Sequence, residues 1–177
     1  MKKGWTLYLS LGFAACWSLL SPGTQAAPLD RSQPTNIEAD HVEVDDRTKV
    51  ATFTGNVLLT QGSLTLRSDK LVAVQDAQGF QKGVASMNNN KRAYISQRRT
   101  NGELAEGEAE RIEYDGRTEI AEMTGNAEVR SGGDTVRGER IKYNALTEQY
   151  QADSTGGKNG GRVHITIPPK NTTGAKP

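Results

Sequence analysis

The side chains that carry most enzymic and metal chemistry are scarce in this sequence: two histidines, His41 and His164, and one cysteine, Cys16. A zinc site needs three or four convergent ligands. His41 falls in a recurring pattern whose other copies carry Lys70, Arg111 and Arg140, which makes it an outward polar residue. His164 alternates with Val163, Ile165 and Ile167. No Ser-His-Asp set and no phosphate-cradling glycine loop is visible. The acidic residues recur in a structural register, which argues against a paired-carboxylate mechanism. The tripeptide Thr-Gly-Asn occurs at 54–56 and again at 124–126. It reads as a glycine within or beside a strand, where a bulge or a close approach is needed. The sequence thus offers no catalytic set, no metal site and no cofactor. With 22 Lys+Arg against 21 Asp+Glu, the chain has no general pull toward nucleic acid.

What must position such residues is a set of short strands. Glu38–Ala73 written above Glu108–Tyr143 matches at 13 of 36 positions without a gap. A finer pattern of acid, basic or His, aliphatic, any, apolar recurs at Asp40, Asp69, Glu110 and Glu139. Such self-similarity marks a supersecondary unit used repeatedly. Within each unit the period is two. Ala51, Phe53, Val57 and Leu59 share one face, as do Ala121, Met123, Ala127 and Val129, while Thr52, Thr54, Thr60, Glu122, Glu128 and Arg130 take the other. Turn signals fall every few residues. The expectation is an all-β antiparallel chain of about fourteen to sixteen short strands, at roughly eight to ten residues per strand and turn. Ala93, Tyr94 and Ile95 read as a strand between the copies, followed by an exposed hairpin tip.

The first 26 residues fit a cleavable signal peptide: Lys2 and Lys3, a mostly apolar run from Trp5 to Leu20, and small residues at Thr24 and Ala26. A membrane anchor is the alternative, as is lipidation at Cys16. Cleavage after Ala26 leaves a cysteine-free chain with 20 cationic and 21 anionic residues. Residues 27–167 then form one domain, and 168–177 a disordered tail.

The blocks "IEADHVEVDDRTKVATFTGNVLLTQGSLTLRSDKLVAV" and "GEAERIEYDGRTEIAEMTGNAEVRSGGDTVRGERIKYN" resemble the OstA-like domain family over Gln33 to Ile167. The resemblance implies a twisted, partly open β-jelly roll with an apolar interior. It also implies a periplasmic lipopolysaccharide-binding function, in which acyl chains ride in an apolar groove that bridges inner- and outer-membrane transport complexes. The modest inward residues, among them Ala51, Val57, Ala121 and Ala127, would leave room between the sheets. Strand parity selects Phe53, Val57, Leu59, Leu66, Ile112, Tyr114, Met123, Val129 and Ile141 as groove-lining. The resemblance adds Ile95 and supports Tyr114, and Ile37 joins them although alternation slips near Glu38. The first strand, "PTNIEADHVEV", and the last, "RVHITI", carry few of the defences that usually blunt sheet edges. The resemblance implies that Thr35, Asn36 and Ile37 at one end, and Val163, His164, Ile165, Thr166 and Ile167 at the other, pair head to tail. Their partners would be a second copy, an LptC-like inner-membrane protein and an LptD-like outer-membrane translocon. Two other readings stay open from the residues alone: a ligand-free structural or adhesive β-repeat protein, and a discrete soluble lipid shuttle.

Overall fold

A computed structural model describes residues 32–77, 79–89, 91–154 and 161–169. The expected leader and its processing site lie outside the described residues, as do the Gly-rich stretch at 155–160 and the tail beyond 169.

Among the described residues, twelve antiparallel strands form one continuous sheet. They are β1 (Thr35–Glu38), β2 (His41–Asp45), β3 (Val50–Gln61), β4 (Leu64–Asp76), β5 (Gly79–Ser86), β6 (Ala93–Arg98), β7 (Leu104–Ala109), β8 (Arg111–Asp115), β9 (Ile120–Ser131), β10 (Asp134–Asn144), β11 (Gln149–Asp153) and β12 (His164–Thr166). The sheet is all-β and antiparallel as expected, but the count falls below fourteen to sixteen. The reason is that β3, β4, β9 and β10 are long, at 12, 13, 12 and 11 residues. Each of these four passes through a corner and serves two layers. Conversely, "PTNIEADHVEV" is not one strand. It breaks at Asp40 into β1 and β2, which pair with opposite halves of β3.

The corner is built by the repeated Thr-Gly-Asn. Gly55 and Gly125 both have φ +83°, and Asn56 and Asn126 both have φ +47°. That left-handed pair is open to Gly and tolerated by Asn. The ladders shift register there, between Thr54 and Val57 and between Gly138 and Arg140. The corner is pinned twice in the same way. The Asp40 amide donates to the Gly55 carbonyl and the Glu110 amide to the Gly125 carbonyl, each at 2.9 Å. The Asn56 side-chain amide donates to Asp40 at 2.8 Å, and that of Asn126 to Glu110 at 2.6 Å. A Cβ on either glycine would run into that same carboxylate.

Bending at the corner folds the sheet into two layers. One holds β2, residues 50–54, residues 70–76, β5, β8, residues 120–124, residues 140–144 and β11. The other holds β1, residues 57–61, residues 64–68, β6, β7, residues 127–131, residues 134–138 and β12. The corner side is covalently continuous. The opposite side is a seam between two rows of turns. In the first row, the Asp45 and Asp115 carboxylates each accept from two amides of their own turn, and Asn144 does the same with its side-chain carbonyl. A hydrogen bond from the Thr48 side chain, with the Thr48 and Arg47 amides beside it, holds Asp45 below its ordinary carboxylate value.

Candidate functional site

Inward residues from both layers form one apolar strip. Val57, Leu59, Leu66, Ile95, Ile112, Tyr114, Met123, Val129 and Ile141 all lie on it, none more than 6% exposed. They join a single core with Leu64, Leu71, Val136 and several alanines. Phe53 and Ile37 are only partly buried and pack against the end of that core. The structure therefore brings all eleven expected lining residues to the space between the layers. It does not leave equal room along it. Over the second copy, Ile112, Tyr114 and Met123 are almost fully buried, and the space beside Ile95, Met123 and Val129 is only about 20 Å³. Space is concentrated at the N-terminal end. A cleft of about 1050 Å³ there is bordered by Pro34, Ile37, Phe53 and Phe80 and rimmed by Gln61, Gln75 and Arg117. Phe80 in turn stacks on Tyr114 with ring centroids 6.3 Å apart, linking the cleft wall to the packed region.

The seam is clasped at the other copy. Glu148, on the turn between β10 and β11, receives the Thr100 amide and hydroxyl, each at 2.7 Å. It also receives Nε and Nη2 of Arg99, at 3.1 and 2.8 Å. Thr100 and Arg99 belong to the β6–β7 loop of the opposite layer, so this one carboxylate ties the two rows of turns together. The hydrogen bonds from Thr100, with Arg99 beside them, hold the Glu148 carboxyl below its ordinary value.

A second charged feature sits on the outer face. Glu128 is 7% exposed, although strand parity marked it as outward and wet. It is covered by Arg92 at 3.4 Å, Arg130 at 2.8 Å and Arg137 at 3.0 Å, with Glu108 joining through Arg92 and Arg130. Burial alone would raise this carboxyl, but Arg137 and Arg130 override it and hold it low. Neither this cluster nor the Glu148 clasp was singled out from sequence, because long-range partners leave no local pattern. The Asp40–Asn56 and Glu110–Asn126 pairs had a usable signal, an acid sixteen residues before each Thr-Gly-Asn asparagine.

The expected edge residues occupy strands with a partner on one side. Thr35, Asn36 and Ile37 lie in β1, which among the described residues pairs with β3 alone. His164, Ile165 and Thr166 form β12, which among the described residues pairs with β10 alone. Ile165 and Ile167 are 56% and 70% exposed, while Val163 packs partly against the core. Among the described residues no group of three or more His, Cys, Asp or Glu could hold a metal ion.

Comparison with known proteins agrees with this geometry. Residues 36–149 match the family described as LptA/(LptD N-terminal domain) LPS transport protein. The lipopolysaccharide export system protein LptA of Escherichia coli K12 is 32% identical over 177 residues, covering 96% of this chain and 93% of its own. The lipopolysaccharide export system protein LptH of Pseudomonas aeruginosa is 32% identical over 170 residues, covering 93% and 95%. The crystal structure of LptH, the LptA-homologous periplasmic component of the lipopolysaccharide transport device of Pseudomonas aeruginosa, superposes with a TM-score of 0.72 at 27% identity. It covers 80% of this chain and 100% of that one. The kinship along nearly the whole chain and the shared folded sheet converge: the chain belongs to the LptA/LptH family of periplasmic lipopolysaccharide-transport proteins.

Proposed function

We propose that the chain bridges inner- and outer-membrane lipopolysaccharide-transport complexes and carries the lipid's acyl chains between its two layers while sugars and phosphates stay outside the seam. The observation that carries this is the continuous apolar strip that opens at one end as a cleft lined by Ile37, Phe53 and Phe80. Each methylene in water costs about 0.8 kcal/mol, so a twelve-carbon chain costs roughly 9 kcal/mol and a multi-chain lipid several times that. An apolar strip offsets most of this cost. Repeated similar strands give successive similar sites, which suits movement along the chain better than one deep pocket. On the seam side turns and not strands face each other, so parting the layers there breaks no strand ladder, only side-chain ties such as the Glu148 clasp. The single-partner strands at the two ends suit main-chain pairing with a second copy or with LptC-like and LptD-like domains of the same fold. The cleaved leader, 1–26, and the domain limits, 27–167, belong to this reading. The test is a photo-crosslinking amino acid at Phe53, Leu59, Ile95 or Tyr114, compared with Glu122 and Lys142 on the outer face. Lipopolysaccharide adducts at the first set only are expected. Equal labelling of both sets would remove the groove.

A further inference from the structure

The seventy-residue offset runs well beyond the part visible by sequence identity. β1 pairs with β3 from Thr35↔Gln61 to Glu38↔Leu58, and β7 pairs with β9 from Ala105↔Ser131 to Glu108↔Glu128. β6 pairs with β4 from Thr65↔Ser96 to Arg67↔Tyr94, and β12 pairs with β10 from Thr135↔Thr166 to Arg137↔His164. β2 and β8 correspond in the same way, and β5 and β11 lie against matching halves of β4 and β10. The molecule is therefore two whole copies. Copy one ends in β5 and β6; copy two begins with β7 and β8. They join as β5·β8 in one layer and β6·β7 in the other. At the molecule's two ends the same four kinds of strand recur, each lacking that partner: β2 and β1 at one end, β11 and β12 at the other.

We infer that the junction inside the molecule is the template for the junction between molecules, and that it fixes both the register and one ion pair; this deepens the head-to-tail reading above and rests on it. Ile95 lies opposite Gly107 inside the molecule. Seventy residues on and seventy back, Ile165 lies opposite Ile37 of the next copy. In the other layer Ala85 lies opposite Ile112 and Gly83 opposite Tyr114. By their pairing to β4 and β10, the counterparts of Ala85 and Gly83 are Ala152 and Tyr150, three residues short of the seventy-residue offset, which sets Ala152 opposite Val42 and Tyr150 opposite Val44.

Side-chain character follows the template. Ile112 and Tyr114 are 0% and 4% exposed at the internal junction, whereas their counterparts Val42 and Val44 are 50% and 59% exposed. Ile95 is 6% exposed and its counterpart Ile165 56%. Val42, Val44 and Ile165 thus each meet an apolar group at the other end and take the buried position that their copy already holds; Ile167, the counterpart of Gln97, falls opposite Thr35. Charge agrees as well. Arg92 forms an ion pair with Glu108 across the internal junction. The residues at plus and minus seventy are Arg162 and Glu38, again an arginine and a glutamate. The occupant that fits both ends is a second copy of this chain.

The test uses protein exported from the full chain in a Cys16→Ser background. One molecule carries Ile165→Cys and the other Ile37→Cys; a second pair carries Ala152→Cys and Val42→Cys. Disulfide formation requires Cα atoms within about 7 Å, so each in-register pair should cross-link at least about tenfold faster than pairs shifted by two residues, such as Ile165→Cys with Thr35→Cys or Ala39→Cys. Arg162→Glu should weaken association several-fold, roughly tenfold at low salt, and mixing it with Glu38→Arg molecules should restore it. Oligomers that cross-link equally well out of register, or in one layer only, would overturn the template while leaving head-to-tail assembly standing. A molecular mass that stays monomeric at every concentration in light scattering would overturn both.

Discussion

The two copies share a backbone and differ in how they close. In copy two, Met123 is 1% exposed and sits against Gly107, where a Cβ would meet its sulfur at 2.5 Å. In copy one the same two positions hold Phe53 and Ile37, both partly buried at the cleft. Copy two carries the Glu148 clasp and the Glu128 cluster, whereas Leu58 stands at the Glu128 position in copy one. One frame thus supports a closed half and an open half. Corner and register belong to the repeat, while the degree of opening belongs to a few side chains and to whether a neighbouring copy covers the edge.

Substitutions at matched positions break or sharpen that contrast. The largest difference is expected between Met123→Ala and Phe53→Ala. The first empties a packed site and should cost about 2–5 kcal/mol in chemical denaturation, and the second, at the cleft rim, about 1–2 kcal/mol. Equal costs would mean that the halves are packed alike. Next come Gly55→Ala and Gly125→Ala. Both demand φ +83° and push a Cβ into the corner carboxylate, so each should lower stability by about 1–3 kcal/mol, by similar amounts. Unequal melting shifts would show that the corner is not shared. Glu128→Leu, which writes the copy-one residue into copy two, leaves three arginines without their shared carboxylate. It should cost about 1–3 kcal/mol, with the loss reduced in high salt.

The smallest effect is at the seam. Glu148→Ala should cost about 1 kcal/mol and speed hydrogen exchange at the Thr100 amide without touching the Asp40 amide of copy one. Its pH dependence has a definite sign. The folded carboxyl titrates below its unfolded value, so the clasp contributes fully above the unfolded value of about 4.3 and is lost as pH falls through the lower, folded value. Acid should therefore loosen the 99–103 loop in the native protein and have no such effect in Glu148→Ala, as read by exchange or by fluorescence of a loop label.

Much of this was legible in the sequence, for definite reasons. Strict alternation reports which face a residue takes, so Leu59, Ile112 and Ile141 could be assigned inward without knowing any strand's partner. The repeated Thr-Gly-Asn announced a backbone irregularity. Its consequence, a corner that lets one strand serve two layers, was not readable, because a bulge inside a long strand and a turn between two short ones look alike; hence the surplus of expected strands. The correspondence of β1 with β7 and of β6 with β12 was hidden because edge strands keep little side-chain identity when main-chain pairing does the work. Only Glu38, Ala39, Arg162 and Ile165 hint at it. The distribution of free space was also out of reach. Ala51 and Ala121 are small in both copies, yet Tyr114 and Met123 fill one half while the cleft opens in the other.

The direction of the strands has a mechanical consequence. Strands lie side by side along the molecule's long dimension, so the ladder hydrogen bonds point along it. A stretching force between two membranes would load those bonds in tension. Every step from β3 to β10 is bonded in both layers, and the long strands carry force from one layer to the other through the corner. No plane across the body hangs on a single layer, so the molecule has no built-in line of fracture, and strain spreads as a small change of twist at each strand.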